Sequence, residues 1–178
     1  MTDLAAKIVA IHRSLAAAQA PHAFGGALAL AWCTQSARGT IDIDVNVFVD
    51  HAEAASVLAA LPAEVVASAQ DLQLLLDDGQ ARLWWDTTPI DLFLDTTEFH
   101  RQAARRCPSR PFAGHDIPFL ACDDLAVFKA FFNRTKDWAD LEAMAAAGAL
   151  DPDRVIGVLV RYLGADDPRI SRLQDLTI

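Results

Sequence analysis

The sequence predicts a mixed α/β sheet flanked by helices and followed by a helical C-terminal extension. In residues 41–49 and 90–94, β-branched and apolar residues alternate with or surround aspartates, which is the period of a strand with two unlike faces. The N-terminal segment and the segments around these runs keep helical spacing instead. Beyond residue 120 only helical spacing is found.

Leu4, Ile8, Ile11 and Leu15 recur at helical intervals, so a helix is expected from Asp3 to Gln19, ended near Pro21. His22 to Phe24 reads as a short strand, Gly25-Gly26 as a turn and Ala27 to Trp32 as the start of a second helix. Ile41 to Val49 is the best strand in the chain. A helix is expected from His51 to about Leu61. Two strands follow, Arg82 to Trp85 and Pro89 to Leu94, joined by a turn around Asp86-Thr87-Thr88. Thr96 or Thr97 can cap a helix running to Arg106, and Arg110 to Leu120, broken by Pro111, Gly114 and Pro118, reads as a loop or irregular hairpin. In the last third, Leu125, Phe128 and Phe132, then Trp138, Leu141 and Met144, then Val155, Val158, Leu159 and Tyr162 repeat helically. Asp151-Pro152 supplies an N-cap and a first-turn proline. The expected division is an α/β core over 1–120 and a helical region over 121–178, packed on it as one unit.

Composition narrows the function. At 178 residues and 53% hydrophobic content the chain can bury a core without staples. No apolar run approaches the roughly 20 residues of a membrane span, and the N-terminus lacks signal-peptide features. Cys33, Cys107 and Cys122 are an odd set at spacings that match no zinc pattern, so neither a disulfide framework nor a structural zinc is expected, and the compartment reads as reducing and cytoplasmic. A net charge of −9 opposes broad nucleic-acid binding, although Arg101, Arg105, Arg106 and Arg110 fall close enough together for a local basic groove.

The chemistry lies in the aspartates. On a strand, Asp42 and Asp44 project to one face while Ile41, Ile43 and Val45 take the other. Like charges that close repel unless a cation sits between them. Mg²⁺, or Mn²⁺, supplies one, preferring hard oxygen ligands shared between carboxylates and nucleotide phosphates. Asp91 is embedded in a strand of the same form and joins the set if the two strands are neighbours; Asp95 shares its parity and reads as a cap or solvated group. Such a trio can run nucleotidyl transfer through two metals, with one carboxylate accepting the nucleophile's proton. Gly25-Gly26, opening a helix just upstream, offers N–H groups to a phosphate. His22 and His115 read as structural histidines. Trp84, Trp85 and Trp138 read as core, with base stacking the alternative.

The run Phe24-Gly25-Gly26-Ala27-Leu28-Ala29-Leu30, then Arg38-Gly39-Thr40-Ile41-Asp42-Ile43-Asp44, resembles the Gly-Gly or Gly-Ser motif and R-x-T-x-D-I-D of AbiEii-type nucleotidyltransferases. These are toxin components of abortive-infection and toxin–antitoxin systems, and the mycobacterial MenT toxins are similar. Leu125-Ala126-Val127-Phe128-Lys129-Ala130 and Arg134-Thr135-Lys136-Asp137-Trp138-Ala139-Asp140-Leu141 are similar to that family's later motifs, in which a helix lysine precedes R-x-K-D-x-x-D-L. The resemblance implies a nucleotidyltransferase-like fold, an NTP donor, and a tRNA end or protein hydroxyl as acceptor. The alternatives are a catalytically silent binding module that keeps the fold and a small-molecule nucleotidyltransferase of the aminoglycoside-modifying kind. A cognate antitoxin would be a partner. Gly25 and Gly26 would face the triphosphate and Asp42, Asp44 and Asp91 would hold metal. Lys129 would contact phosphate, and Asp137 or Asp140 would complete the site or its support. Arg38 and Thr40 would position the loop before the metal strand. Lys136 falls in the same nucleotide-binding stretch. Read from the residues alone, Lys129 can equally snorkel from a buried face, and Arg134, Lys136, Asp137 and Asp140 can form plain helix ion pairs. The sequence departs from the family pattern at Gly26, where many members carry Ser, and in its short length.

Overall fold

The computed structural model describes residues 3–37 and 39–176. The chain divides into two compact units, one of residues 3–28 and 39–120, the other of residues 29–37 and 121–176.

The first unit holds a five-stranded mixed sheet. Its strands are β1 (His22–Phe24), β2 (Ile43–Asp50), β3 (Val65–Val66), β4 (Gln80–Trp85) and β5 (Thr88–Asp95), in the spatial order β1-β2-β5-β4-β3. Only the central pair, β2 and β5, is parallel. Ile43, Val45, Val47, Ile90, Leu92, Leu94, Leu83 and Trp85 are buried on one face. The alternate residues Asp44, Asn46, Asp91, Arg82 and Trp84 therefore share the other face.

Helix α1 (Leu4–Ala17) starts where Asp3 accepts a hydrogen bond from the Ala6 N–H, and it buries Ile8, Ile11 and Leu15 as its spacing requires. Lys7 is buried too, because its ammonium donates to the Trp85 carbonyl and the Thr88 hydroxyl and so ties α1 to the β4–β5 turn. Helix α2 (Gly26–Thr34) follows β1 directly. A 3₁₀ turn (His51–Glu53) leads into α3 (Ala54–Ala60), and α4 (Ala69–Asp78) begins with a Ser68–Asp71 capping box and ends at Gly79. Helix α5 (Glu98–Ala104) is capped by Thr97, and a hairpin of β6 (Ser109–Phe112) and β7 (His115–Pro118) closes the unit.

The second unit is helical: α6 (Cys122–Phe132), α7 (Thr135–Ala146), α8 (Pro152–Leu163) and α9 (Pro168–Asp175). Asp151 caps α8 ahead of Pro152, as the sequence indicates. The expectation of unpaired cysteines is corrected here. Cys33 of α2 and Cys122 at the start of α6 form a disulfide with Cα atoms 5.6 Å apart, while the Cys107 thiol donates to the Ala103 carbonyl. Eighty-nine positions separate the two, so no local spacing reveals the pair. Among the described residues no helix is long and apolar enough to cross a membrane.

Candidate active site

The site is built where β1 ends. The Gly25 N–H donates to the Asp44 carbonyl at 2.9 Å, continuing the β1–β2 ladder by one bond before the chain turns into α2. Gly26 makes that turn with a φ of +52°, a conformation that favours glycine. A Cβ at Gly26 would overlap the Asp44 carboxylate, and one at Gly25 would press on Asn46 Nδ2 at 3.1 Å. Both glycines thus let the backbone lie against the β2 side chains. A serine at position 26 would require Asp44 to move.

Strand β2 opens at Ile43 rather than Ile41. The reason is local, since β1 runs out at Phe24 opposite Val45 and β5 pairs from Ile43 onward. Asp42 therefore sits in the approach to the strand, where its carboxylate accepts a hydrogen bond from the Thr40 hydroxyl. Ile41 is exposed.

Parallel pairing sets Asp44 directly beside Asp91, and antiparallel pairing sets Asp91 directly beside Arg82. The three form a row across β2, β5 and β4 on the polar face. Arg82 donates to Asp91 from both Nε and Nη2, each at 2.7 Å. Its pKa is raised, first by that hydrogen bond and the attraction of Asp91, then by Asp42 and Asp44. All three predicted carboxylates thus act on one guanidinium. Sequence reading missed Arg82 as a site residue. Among the described residues no group of three or more His, Cys, Asp or Glu side chains is gathered closely enough to hold a metal as the side chains stand.

Arg38 lies outside the described residues. Thr40 bonds Asp42 as described. Lys136 lies in the first turn of α7, and the remaining predicted residues form a network in the helical unit. Lys129 Nζ donates to Asp140 at 2.6 Å and lies 3.9 Å from Asp137, all three buried. Arg134 pairs with Asp137 at 2.6 Å from the half-exposed side. Asp95 accepts a hydrogen bond from the Thr97 N–H and is buried, with a pKa raised mainly by that burial. Trp85 and Trp138 are core, whereas Trp84 is exposed on the polar face beside Arg82. Arg101 is bound to Glu98 at 3.1 Å.

Histidines flank the site structurally. His22 donates from Nδ1 to the Ala20 carbonyl, so its Nε2 accepts from His12 Nδ1–H at 2.9 Å. His100 is buried under the polar face and donates from Nε2 to Asn46 Oδ1 at 3.3 Å. Burial lowers its pKa to about 4. The unfolded chain, with an ordinary histidine near 6.5, then binds the proton that the folded chain refuses. Stability is therefore complete above pH 6.5 and falls as the pH drops toward 4, by about 3 kcal/mol from this group. Chemical denaturation between pH 7 and 4 is expected to show that loss, and His100→Gln to remove much of it. An identical pH slope in the variant would assign the loss elsewhere.

The fold is nucleotidyltransferase-like. It is similar to the solution structure of the antibiotic-resistance factor ANT(2'')-Ia, with a TM-score of 0.57 and 15% identity, over 97% of this chain and 88% of that one. A nucleotidyltransferase-like protein from Paracoccidioides brasiliensis matches at 14% identity over 98% of this chain and 93% of its own, with a TM-score of 0.48. No family model and no curated protein sequence matches the chain.

Proposed function

We propose that the protein transfers a nucleoside monophosphate from an NTP to an acceptor hydroxyl, at Asp42, Asp44 and Asp91 beside the Gly25-Gly26 turn. The observation that carries this reading is the register: Asp44 and Asp91 stand level on adjacent parallel strands, one residue row from the glycine turn. The acceptor oxygen attacks the α-phosphorus, the bond to the β-phosphate's bridging oxygen breaks, and pyrophosphate leaves. The acceptor's proton passes to a carboxylate of the set.

The residues fit Mg²⁺ or Mn²⁺. Their oxygens are hard donors, all three already attract one cationic guanidinium, and such ions need only one or two carboxylates when substrate phosphates supply the rest. Asp42, Asp44 and Asp91 would hold the ion, whose contribution when bound is to neutralise charge on the transferring group. Gly25 and Gly26 let the backbone lie against the Asp44 and Asn46 side chains, and the start of α2 would offer its N–H groups to a phosphate.

The motif resemblance supports a tRNA end or protein hydroxyl as acceptor and a cognate antitoxin as partner, with a toxin role. A second reading, a small cationic hydroxyl compound, is favoured by the net charge of −9 and by the likeness to an antibiotic-resistance factor. Incubation with each labelled NTP and Mg²⁺ against tRNA, protein and small-molecule pools separates the two. Label entering no pool, together with no NTP binding by calorimetry, would leave the chain a silent member of its fold.

Metal binding has its own test. Mg²⁺ with nucleotide is expected to raise the melting temperature of the wild type, and Asp44→Asn to diminish that rise, because one charge fewer needs balancing. Equal shifts in the two proteins would remove Asp44 from the metal set.

A further inference from the structure

We propose that Arg82 is a resident counter-ion of the carboxylate set, bound at Asp91, and that a divalent cation loads the site by displacing its guanidinium from Asp91. This inference rests on the metal-dependent reading above and assigns a regulator to that site. Neighbouring strands lie about 4.8 Å apart, so Asp44 and Asp91, level with each other, bring two negative charges together. Arg82, level with Asp91 on the next strand, answers them with a two-pronged bond to both oxygens of Asp91. A metal and that fork compete for the same oxygens, because the bidentate geometry occupies the lone pairs directed toward the row.

The pair is built to part. The Arg82 side chain is 52% exposed and that of Asp91 20%, so separation strands no buried charge and disturbs no core contact. The fork makes this a stronger pair than most at a surface, but a doubly charged ion brings twice the charge to the same carboxylates. The hairpin holds the base of the Arg82 side chain in the row after release, so its cation stays beside the incoming phosphates rather than leaving the site.

The test compares Mn²⁺ affinity by calorimetry, with and without a non-hydrolysable NTP, in the wild type, Arg82→Gln and Arg82→Lys. Arg82→Gln is expected to bind Mn²⁺ roughly fivefold more tightly and to melt lower than wild type without metal, with Mn²⁺ restoring the difference. Arg82→Lys, which keeps the charge without the fork, is expected to lie between them. If the wild type binds Mn²⁺ and Arg82→Gln binds it equally or more weakly, the counter-ion role is overturned and the metal reading stands. A flat titration of the wild type itself overturns both.

Discussion

Asp44→Ala is expected to lower nucleotidyl transfer by about a thousandfold or more while leaving the protein folded. The group lost acts where charge builds on the transferring phosphoryl, so the effect should fall on kcat. Asp44 projects to the polar face of β2, opposite the buried Ile43 and Val45 row, which is why the sheet should survive its truncation. Gly26→Ala provides an independent approach to the same carboxylate. Its Cβ would overlap Asp44, and its φ of +52° is strained for alanine by about 1 kcal/mol. That variant should lose most of its activity with only a small drop in melting temperature. Labelled transfer in parallel with circular dichroism measures both. An Asp44→Ala protein that transfers at wild-type rate would end the assignment of the site to this row.

The parts of the site that lie on one strand or one turn were readable from the sequence, because a period of two names the face on which Asp44 and Asp91 fall. The pairing of those strands was not, since β2 and β5 pair residues as far apart in sequence as Asp44 and Asp91, with two helices and two strands between them. Arg82 is an instructive miss. A single arginine among Gln80, Ala81, Leu83, Trp84 and Trp85 reads as a solvated edge residue, yet counting back from the Trp85–Thr88 turn along the hairpin pairs it with Asp91. The signal was present in the turn expected near Asp86, one inference beyond where periodicity ends. The Cys33–Cys122 bond had no such local signal, whereas helix α4, whose Leu74-Leu75-Leu76 run blurs its period, was marked only at its ends, by Ser68, Asp71 and Gly79. Thr97, Asp3 and Asp151, by contrast, act as caps because capping is chemistry between residues two to four apart.

Lys129 separates a helix-face reading from a packed one. Helical spacing places it among Phe128, Phe131 and Phe132, but cannot show that its ammonium meets Asp140, a full helix away, at 2.6 Å. Both side chains are at least nine-tenths buried, and Asp137, at 3.9 Å, joins them to Arg134. Removing the ammonium leaves the Asp140 carboxylate inside the helical unit without its nearest cation. Breaking a buried pair in this way costs about 3 kcal/mol or more. Lys129→Met, which preserves the stem, is therefore expected to lower the melting temperature by roughly 10 °C. Adding Asp140→Leu should return much of the loss, because a buried ion pair and an apolar pair of similar volume are nearly equivalent in stability. A lysine whose work is to hold a nucleotide phosphate behaves differently: its loss raises KM, leaves the melting temperature of the protein without nucleotide unchanged, and gains nothing from Asp140→Leu. Melting curves of the two single variants and the double variant, recorded without nucleotide, decide between these roles. An unaltered melting temperature for Lys129→Met would return Lys129 to the phosphate-binding residues, and the full thermal loss with rescue would make it a strut of the helical unit.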